Sequence, residues 1–299
     1  MVSKTSNAKP PTPTKTEGVI TIRIPQDIID EILDRLANDP DFDAALPSQH
    51  PPSEPRPPPE FEPGLQPIQA GAFRSLRICS LVSKSWVQSC RRHLFRAVDF
   101  TSWDVGLWVK TFPVPEESPA HHVRDLSIRI GGSRPVPEKF FEYTEWFSNV
   151  ERLYLLGHGG VWPYQESSLW RLPQSATSLI IDADVVTLVQ VRDIMAQLPN
   201  LDDLSLSGFL VPVDGDLLPG IGMTLRGRFG GQLLLRGGYI GRNVINMLLE
   251  IPSGLRFTEV IQCTLGCLPS AVRVVEACSE TLVKLSHTLP AHCKSHLLS

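Results

Sequence analysis

Three groups of residues in this chain are of types that can do chemistry. Gly157-His158-Gly159-Gly160 is a run whose backbone amides could hold a developing oxyanion during ester hydrolysis. Such a loop is useful only beside a nucleophile, and no Gly-x-Ser-x-Gly elbow occurs in the sequence. The run therefore reads as a flexible loop at the end of a strand. Glycines are also dense at Gly220, Gly222, Gly227, Gly230, Gly231, Gly237, Gly238 and Gly241, where a phosphate could be cradled if a strand led into a helix N-terminus. Neither a Walker ending nor a Gly-x-Gly-x-x-Gly in that context is present, so these glycines read as turns. Cys263 and Cys267, with His287, His292, Cys293 and His296, are zinc-ligand types without a paired Cys-x-x-Cys. No carboxylate pair is spaced for acid–base work. The expectation is a protein that is not an enzyme and carries no metal and no cofactor.

The bulk properties narrow the class. The chain has 299 residues, 42% of them apolar, enough for one large or two modest domains. A net charge of -4 argues against a nucleic-acid or anionic-membrane partner, which calls for a basic surface. Six scattered cysteines show no disulfide framework, and no apolar run approaches the roughly 18 residues of a membrane helix. A cytoplasmic or nuclear protein is expected.

Two stretches read as one small helical unit. From Ile24, Pro25 can open a helix without losing a hydrogen bond, and Ile28, Ile29, Ile32, Leu33 and Leu36 recur with helical periodicity. Glu31 and Arg35 form a favourable i,i+4 pair. The second stretch, Leu76 to Phe95, carries Leu76, Cys79, Leu81, Val82 and Trp86, with Ser83 placed to cap the start of a further helix. Arg91, Arg92 and His93 suit the negative end of that helix. Three such helices in fewer than about 50 residues bury too little to stand without a partner or a neighbouring domain. Between the stretches, Ala37 to Ala70 holds ten prolines in 34 residues and reads as an extended or disordered insertion. Residues 1–18, poor in apolar side chains, read as a disordered tail, as do 291–299.

Taken together, Ile24-Pro25 opening a helix with Ile28, Ile29, Ile32 and Leu33, then the Leu-x-x-Cys-Ser-Leu-Val-Ser-x-Ser-Trp run, resemble the F-box, particularly the versions in large families of mushroom-forming fungi. The resemblance implies a substrate-receptor subunit of an SCF-type cullin RING ubiquitin ligase. Its helices would dock to a Skp-type adaptor and, through it, to a cullin. The candidate adaptor-binding residues are Ile24, Pro25, Ile28, Ile29, Ile32, Leu33, Leu81, Val82 and Trp86. The long insertion is a departure, since the family has a short turn there.

Beyond Phe95 a pattern repeats. Triplets such as Val123/Leu126/Ile128, Val150/Leu153/Leu155, Ala176/Leu179/Ile181 and Leu201/Leu204/Leu206 recur, with weaker copies at Leu233/Leu235, Phe257/Val260 and Leu282/Leu285. Their middle residues are spaced 27, 26, 25, 29, 27 and 25 apart, within the leucine-rich-repeat range. Helical segments are expected between them at Glu138 to Ser148, Thr187 to Leu198, Asn243 to Glu250 and Ala271 to Cys278. The usual Asn or Cys five positions on is replaced by Gly131, His158, Asp184, Phe209, Gly238, Leu265 and Pro290, which predicts an irregular scaffold. The expected fold class is α+β: a small all-α F-box trihelix over 19–95, then an irregular α/β leucine-rich-repeat-like solenoid over 96–290.

On such a scaffold one strand face would present Asp125, Arg129, Arg152, Tyr154, Asp182, Asp203, Gln232, Arg236, Glu259 and Lys284. Of these, Arg129, Arg152, Tyr154, Asp182, Asp203 and Arg236 are the candidate contacts to an unknown protein substrate, charges steering and an aromatic anchoring. Two other functions compete: a repeat-type protein-binding scaffold without a ubiquitin-ligase role, its helices capping the repeats, and a hydrolase built on Gly157 to Gly160.

Overall fold

The computed structural model of the chain describes residues 25–38, 70–101, 104–129, 143–161, 171–211, 225–239, 242–262 and 268–287. Residue Ile24, the tails and most of the proline-rich insertion lie outside these, as do Cys263, Cys267, His292, Cys293 and His296. The fold is α+β, a group of helices followed by one parallel sheet.

Helices α1 (Gln26–Asn38), α2 (Ala70–Val82) and α3 (Lys84–Leu94) come first. Their ends refine the sequence reading: α1 runs through Ala37 and Asn38, and α2 starts at Ala70, six residues before Leu76. Asn38 and Ala70 therefore bracket the insertion more narrowly than expected. Ser83 takes the extended backbone of an N-cap, but its hydroxyl makes no capping bond to α3. Ile29, Leu33, Leu76 and Cys90 are fully buried together, with Leu36, Cys79, Trp86 and Leu94 packed against them.

The rest is an eight-stranded sheet in sequence order, each neighbouring pair parallel. Its strands are β1 (Ala97–Thr101), β2 (Asp125–Arg129), β3 (Arg152–Val161), β4 (Ser178–Thr187), β5 (Asp203–Val211), β6 (Gln232–Tyr239), β7 (Glu259–Gln262) and β8 (Lys284–His287). Helices α4 (Asp104–Thr111), α5 (Leu188–Ala196), α6 (Arg242–Leu249) and α7 (Leu268–Ala277) fall in the connections. Parallel strands require such crossovers, because a tight turn can only reverse the chain. Of the expected helix from Glu138 to Ser148, residues 138–142 lie outside the described residues, Tyr143 is helical and Thr144–Trp146 form a 3-10 turn. Strand β1 and helix α4 precede the first triplet of the repeat pattern, and Phe95, Val98 and Phe100 keep its spacing, Val98 and Phe100 pairing with Leu126 and Ile128.

The register explains the spacing seen in the sequence. Val98, Leu126, Leu153, Leu179, Leu204, Leu233, Val260 and Leu285 are direct neighbours across all eight strands. Phe100, Ile128, Leu155, Ile181, Leu206 and Leu235 form a second such row two residues on. Both rows point to the same face, since side chains alternate along a strand. From Leu126 to Val260 the first row is essentially inaccessible to solvent. A backbone device repeats at each strand entry. The carbonyl of Arg96 accepts from the amides of Arg124 and Asp125, that of Arg124 from Glu151 and Arg152, that of Glu151 from Thr177 and Ser178, and that of Thr177 from Asp202 and Asp203.

Where the spacing lengthens to 29, the described residues show an irregular turn just before β6. Phe229 adopts φ of 48°, and the amides of Arg228 and Phe229 donate to Leu201 O. The carboxylates of Asp202 and Asp203 then accept from the amides of Gly230, at 2.9 Å, and Gln232, at 2.6 Å. One irregular turn is thus absorbed without breaking the row.

Gly157 to Gly160 lie within β3, not in a loop, and Gly237 and Gly238 lie within β6, not in turns. The register of β3 against β4 shifts between Gly157 and Val161, so the glycines serve a bulge. A matching shift between Ser207 and Phe209 contains Gly208, at φ of 113°. A Cβ there would lie 1.7 Å from Ala183 O, whereas one on Gly106 of α4 would meet nothing within 4 Å. Gly208→Ala is therefore expected to cost more than about 2 kcal/mol in urea unfolding, while Gly106→Ala stabilises by up to about 1 kcal/mol.

Candidate functional site

The helical group brings the two separated stretches together. The Ser89 hydroxyl donates to Asp30 Oδ1 at 2.5 Å, and Gln26 Nε2 donates to both Ser89 Oγ, at 2.7 Å, and Asp30 Oδ1, at 3.0 Å. His93 Nε2 lies 3.1 Å from Asp34 Oδ1. Burial nevertheless holds the His93 imidazole below its usual pKa, with Asp34 opposing. The bonds from Ser89 and Gln26 hold the Asp30 carboxyl below its usual range. These polar contacts lock α1 onto α3 across the insertion.

With α1 fixed by Ile29 and Leu33 and with Leu36 packed against them, Ile28 and Ile32 are left facing solvent. Ile28 is 46% exposed and Ile32 38%; on α2, Ile78 is 56%, Leu81 84% and Val82 65% exposed. Pro25 is exposed too, its carbonyl accepting from the Ile29 amide. Trp86 is half-buried against the small core. The expected set thus divides: Ile29, Leu33 and Trp86 hold the helices together, whereas Pro25, Ile28, Ile32, Leu81 and Val82 are available to a partner. Ile78, absent from the expected set, joins the available group. Its place one residue before Cys79 in the apolar run was the signal. Five large apolar side chains left in water on two short helices are too many for a finished surface.

The candidate substrate contacts fare differently. Arg152 donates through Nε and Nη2 to both carboxylate oxygens of Asp125, the latter bond being 2.8 Å. The Tyr154 side chain is buried, which pushes its phenol pKa up, and the Asp203 carboxylate is spent on the Gln232 amide. These three support the sheet itself. Gln232 Nε2 donates to Glu259 Oε2 at 3.0 Å, and Lys284 Nζ pairs with Glu259 Oε1, so the same polar row continues to the last strand. Asp182 and Arg236 are half-buried on this face, and Arg129 lies in β2 with its side chain outside the described residues. A shallow groove of about 220 Å³ opens here, lined by Arg152, Tyr154, Ile180, Ser205, Gln232 and Leu234 among others. Ile180 and Ser205 are its partly exposed floor, with Leu234 buried beside them; they lie between the charged positions of the expected set.

A larger cavity of about 840 Å³ lies at the entries to β4 and β5, with Glu145, Arg171, Gln174, Ser175, Gln197 and Arg226 in its wall. Arg171 is paired with Glu145 at 2.8 Å. No His or Cys stands among its described lining residues, so it offers no nucleophile–base pair. Among the described residues no group of three His, Cys, Asp or Glu could hold a metal, and no helix is long and apolar enough to cross a membrane. Comparison with protein-family models, with curated proteins and with solved structures returns no match for this chain.

Asp30 gives a pH signature. Its folded pKa is lowered below the reference of 3.8, so its stabilising contribution is present above that reference and is lost as pH falls through the lowered value. Ser89→Ala is expected to cost about 1 kcal/mol at pH 7. The difference between the two proteins, followed by urea unfolding, should shrink below the Asp30 titration.

Proposed function

We propose that the chain is a substrate-receptor subunit of an SCF-type cullin RING ubiquitin ligase. On this reading α1, α2 and α3 are an F-box that docks to a Skp-type adaptor, and the parallel sheet with its connections is an irregular leucine-rich-repeat solenoid that binds a protein substrate. The single observation that carries the reading is the outward apolar set of Ile28, Ile32, Ile78, Leu81 and Val82 on helices whose own core is already complete. Such side chains gain by being covered, at about 25 cal/mol per Å². The sequence order of the eight parallel strands and the in-register leucine row support the repeat half of the reading.

Co-expression of the intact chain with a Skp-type adaptor tests the docking half. The intact chain is expected to co-purify with the adaptor. Ile32→Asp and Leu81→Asp each weaken that complex about tenfold or more, while the unfolding midpoint of the free chain stays unchanged because both side chains are exposed. Ile29→Asp, in the buried cluster, unfolds the helices outright. If the intact chain forms no complex, the repeat-type scaffold without a ligase role takes its place.

For the substrate half, residues open in the groove are the proper probes, because Arg152, Tyr154 and Asp203 are structural. Ile180→Asp with Ser205→Arg should erase partners captured by in-cell crosslinking and leave the unfolding midpoint within about 0.5 kcal/mol equivalent of the parent. Retention of every partner would remove the groove from consideration.

A further inference from the structure

The polar face of the sheet is dented at its middle, and the cause lies in the sizes of the residues there. At the strand entries Arg152 is the register neighbour of Ser178, and Ser178 of Asp203. Two residues on, Tyr154 neighbours Ile180, Ile180 neighbours Ser205, and Ser205 neighbours Leu234. The small side chains of Ser178 on β4 and Ser205 on β5 therefore stand between Arg152 and Tyr154 of β3 and Gln232 and Leu234 of β6. Adjacent strands lie about 4.8 Å apart, so these two walls are about 14 Å apart at the backbone and closer between side chains. The slot they enclose measures about 220 Å³. That is below the roughly 300–1,000 Å³ of small-molecule sites and suits one side chain of a protein partner. Tyr154 and Leu234 are only 3% and 5% exposed, which fixes both walls, whereas Ser178, Ile180 and Ser205 are partly exposed along the floor.

We infer that this slot seats an uncharged aromatic side chain of the protein partner, its ring lying on the Arg152 guanidinium. The inference rests on the substrate half of the proposed function, in which this face of the sheet binds the partner. Electrostatics select against a charged guest. Arg152 is paired with Asp125, and the Asp203 carboxylate already accepts from the Gln232 amide, so a charged guest would give up its hydration to groups that are already matched. Arg152 then favours a ring over an aliphatic chain. Its bonds from Nε and Nη2 to the Asp125 carboxylate lie in the guanidinium plane and hold that plane in place. The flat faces stay uncommitted, and the side chain is 45% exposed. A fixed guanidinium face attracts the electron-rich face of an aromatic ring. Aromatic anchors seated in small pockets are also where protein interfaces concentrate their binding energy.

The test is methyl NMR of Ile180 in the intact chain, titrated at millimolar concentration with the N-acetyl amides of tryptophan, leucine, arginine and glutamate. The tryptophan probe is expected to move the Ile180 methyl resonances upfield through its ring current and to bind about two- to fivefold tighter than the leucine probe, with both charged probes weaker still. Ser205→Leu, which fills the slot from its floor, should abolish the response. Arg152→Lys, which keeps the charge but loses the planar face, should erase the preference for tryptophan over leucine. Equal or tighter binding of the leucine or a charged probe, an Ile180 resonance that no probe moves, an undiminished response in Ser205→Leu or an unchanged preference in Arg152→Lys overturns the inference. If that occurs while Ile180→Asp with Ser205→Arg still erases the crosslinked partners, the groove keeps its role and only the aromatic anchor fails. The adaptor complex is measured separately and bears on neither.

Discussion

The whole sheet depends on one constraint: an apolar side chain must fall at the same register position in every strand. A parallel sheet has no local turn to set its register, so alignment comes from burying the same face each time. The row from Leu126 through Leu153, Leu179, Leu204 and Leu233 to Val260 does this, and the paired amides donating to each preceding carbonyl hold the strand entries in step. Where the spacing lengthens to 29, the left-handed Phe229 and the carboxylates of Asp202 and Asp203 shape the entry to β6 outside the row. At the far end the burial lapses, with Leu285 58% and Val283 85% exposed.

The helical group obeys a different logic. Its few buried residues suffice to join α1 to α3 only because polar locks, Ser89 to Asp30 and His93 to Asp34, add directional contacts to a small core. An aromatic cluster then ties it to the sheet: Phe95, after α3, meets Trp108 edge-on at 5.7 Å, and Trp108 meets Phe100 of β1 at 5.3 Å. Edge-to-face packing of this kind contributes roughly 0.5–1.5 kcal/mol per pair beyond burial. Because the group is anchored from the Phe95 side, the exposed side chains of α1 and α2 are left free of the sheet. The apolar surface that supports a docking role is thus a consequence of how the core was filled.

Function and stability also divide along the polar sheet face. Charged residues that steer a partner in isolation are here consumed by one another, Arg152 by Asp125 and Lys284 by Glu259. A paired charge inside a polar row has little left to offer a partner, and truncating it injures the sheet first. The groove floor of Ile180 and Ser205 is chemically plainer but partly exposed.

Much of the architecture was legible in the sequence because period and burial are local signals. The spacing of leucines marked seven of the eight strands, and the helical segment expected from Thr187 to Leu198 marked α5, whose capping box of Thr187 and Gln190 sets its start. The placement of Gly157 to Gly160 inside β3 and the narrower insertion were not legible, since a bulge and a helix end depend on what the neighbouring strand or helix offers. The sequence by itself determined which residues are apolar and at what period, and hence that helices precede a parallel ladder. Only the tertiary structure decided that Ile29 and Leu33 turn inward while Ile28 and Ile32 turn outward, and that Arg152 and Asp203 are taken up by neighbouring strands. Those outcomes rest on contacts between residues far apart in the chain, which no local pattern encodes.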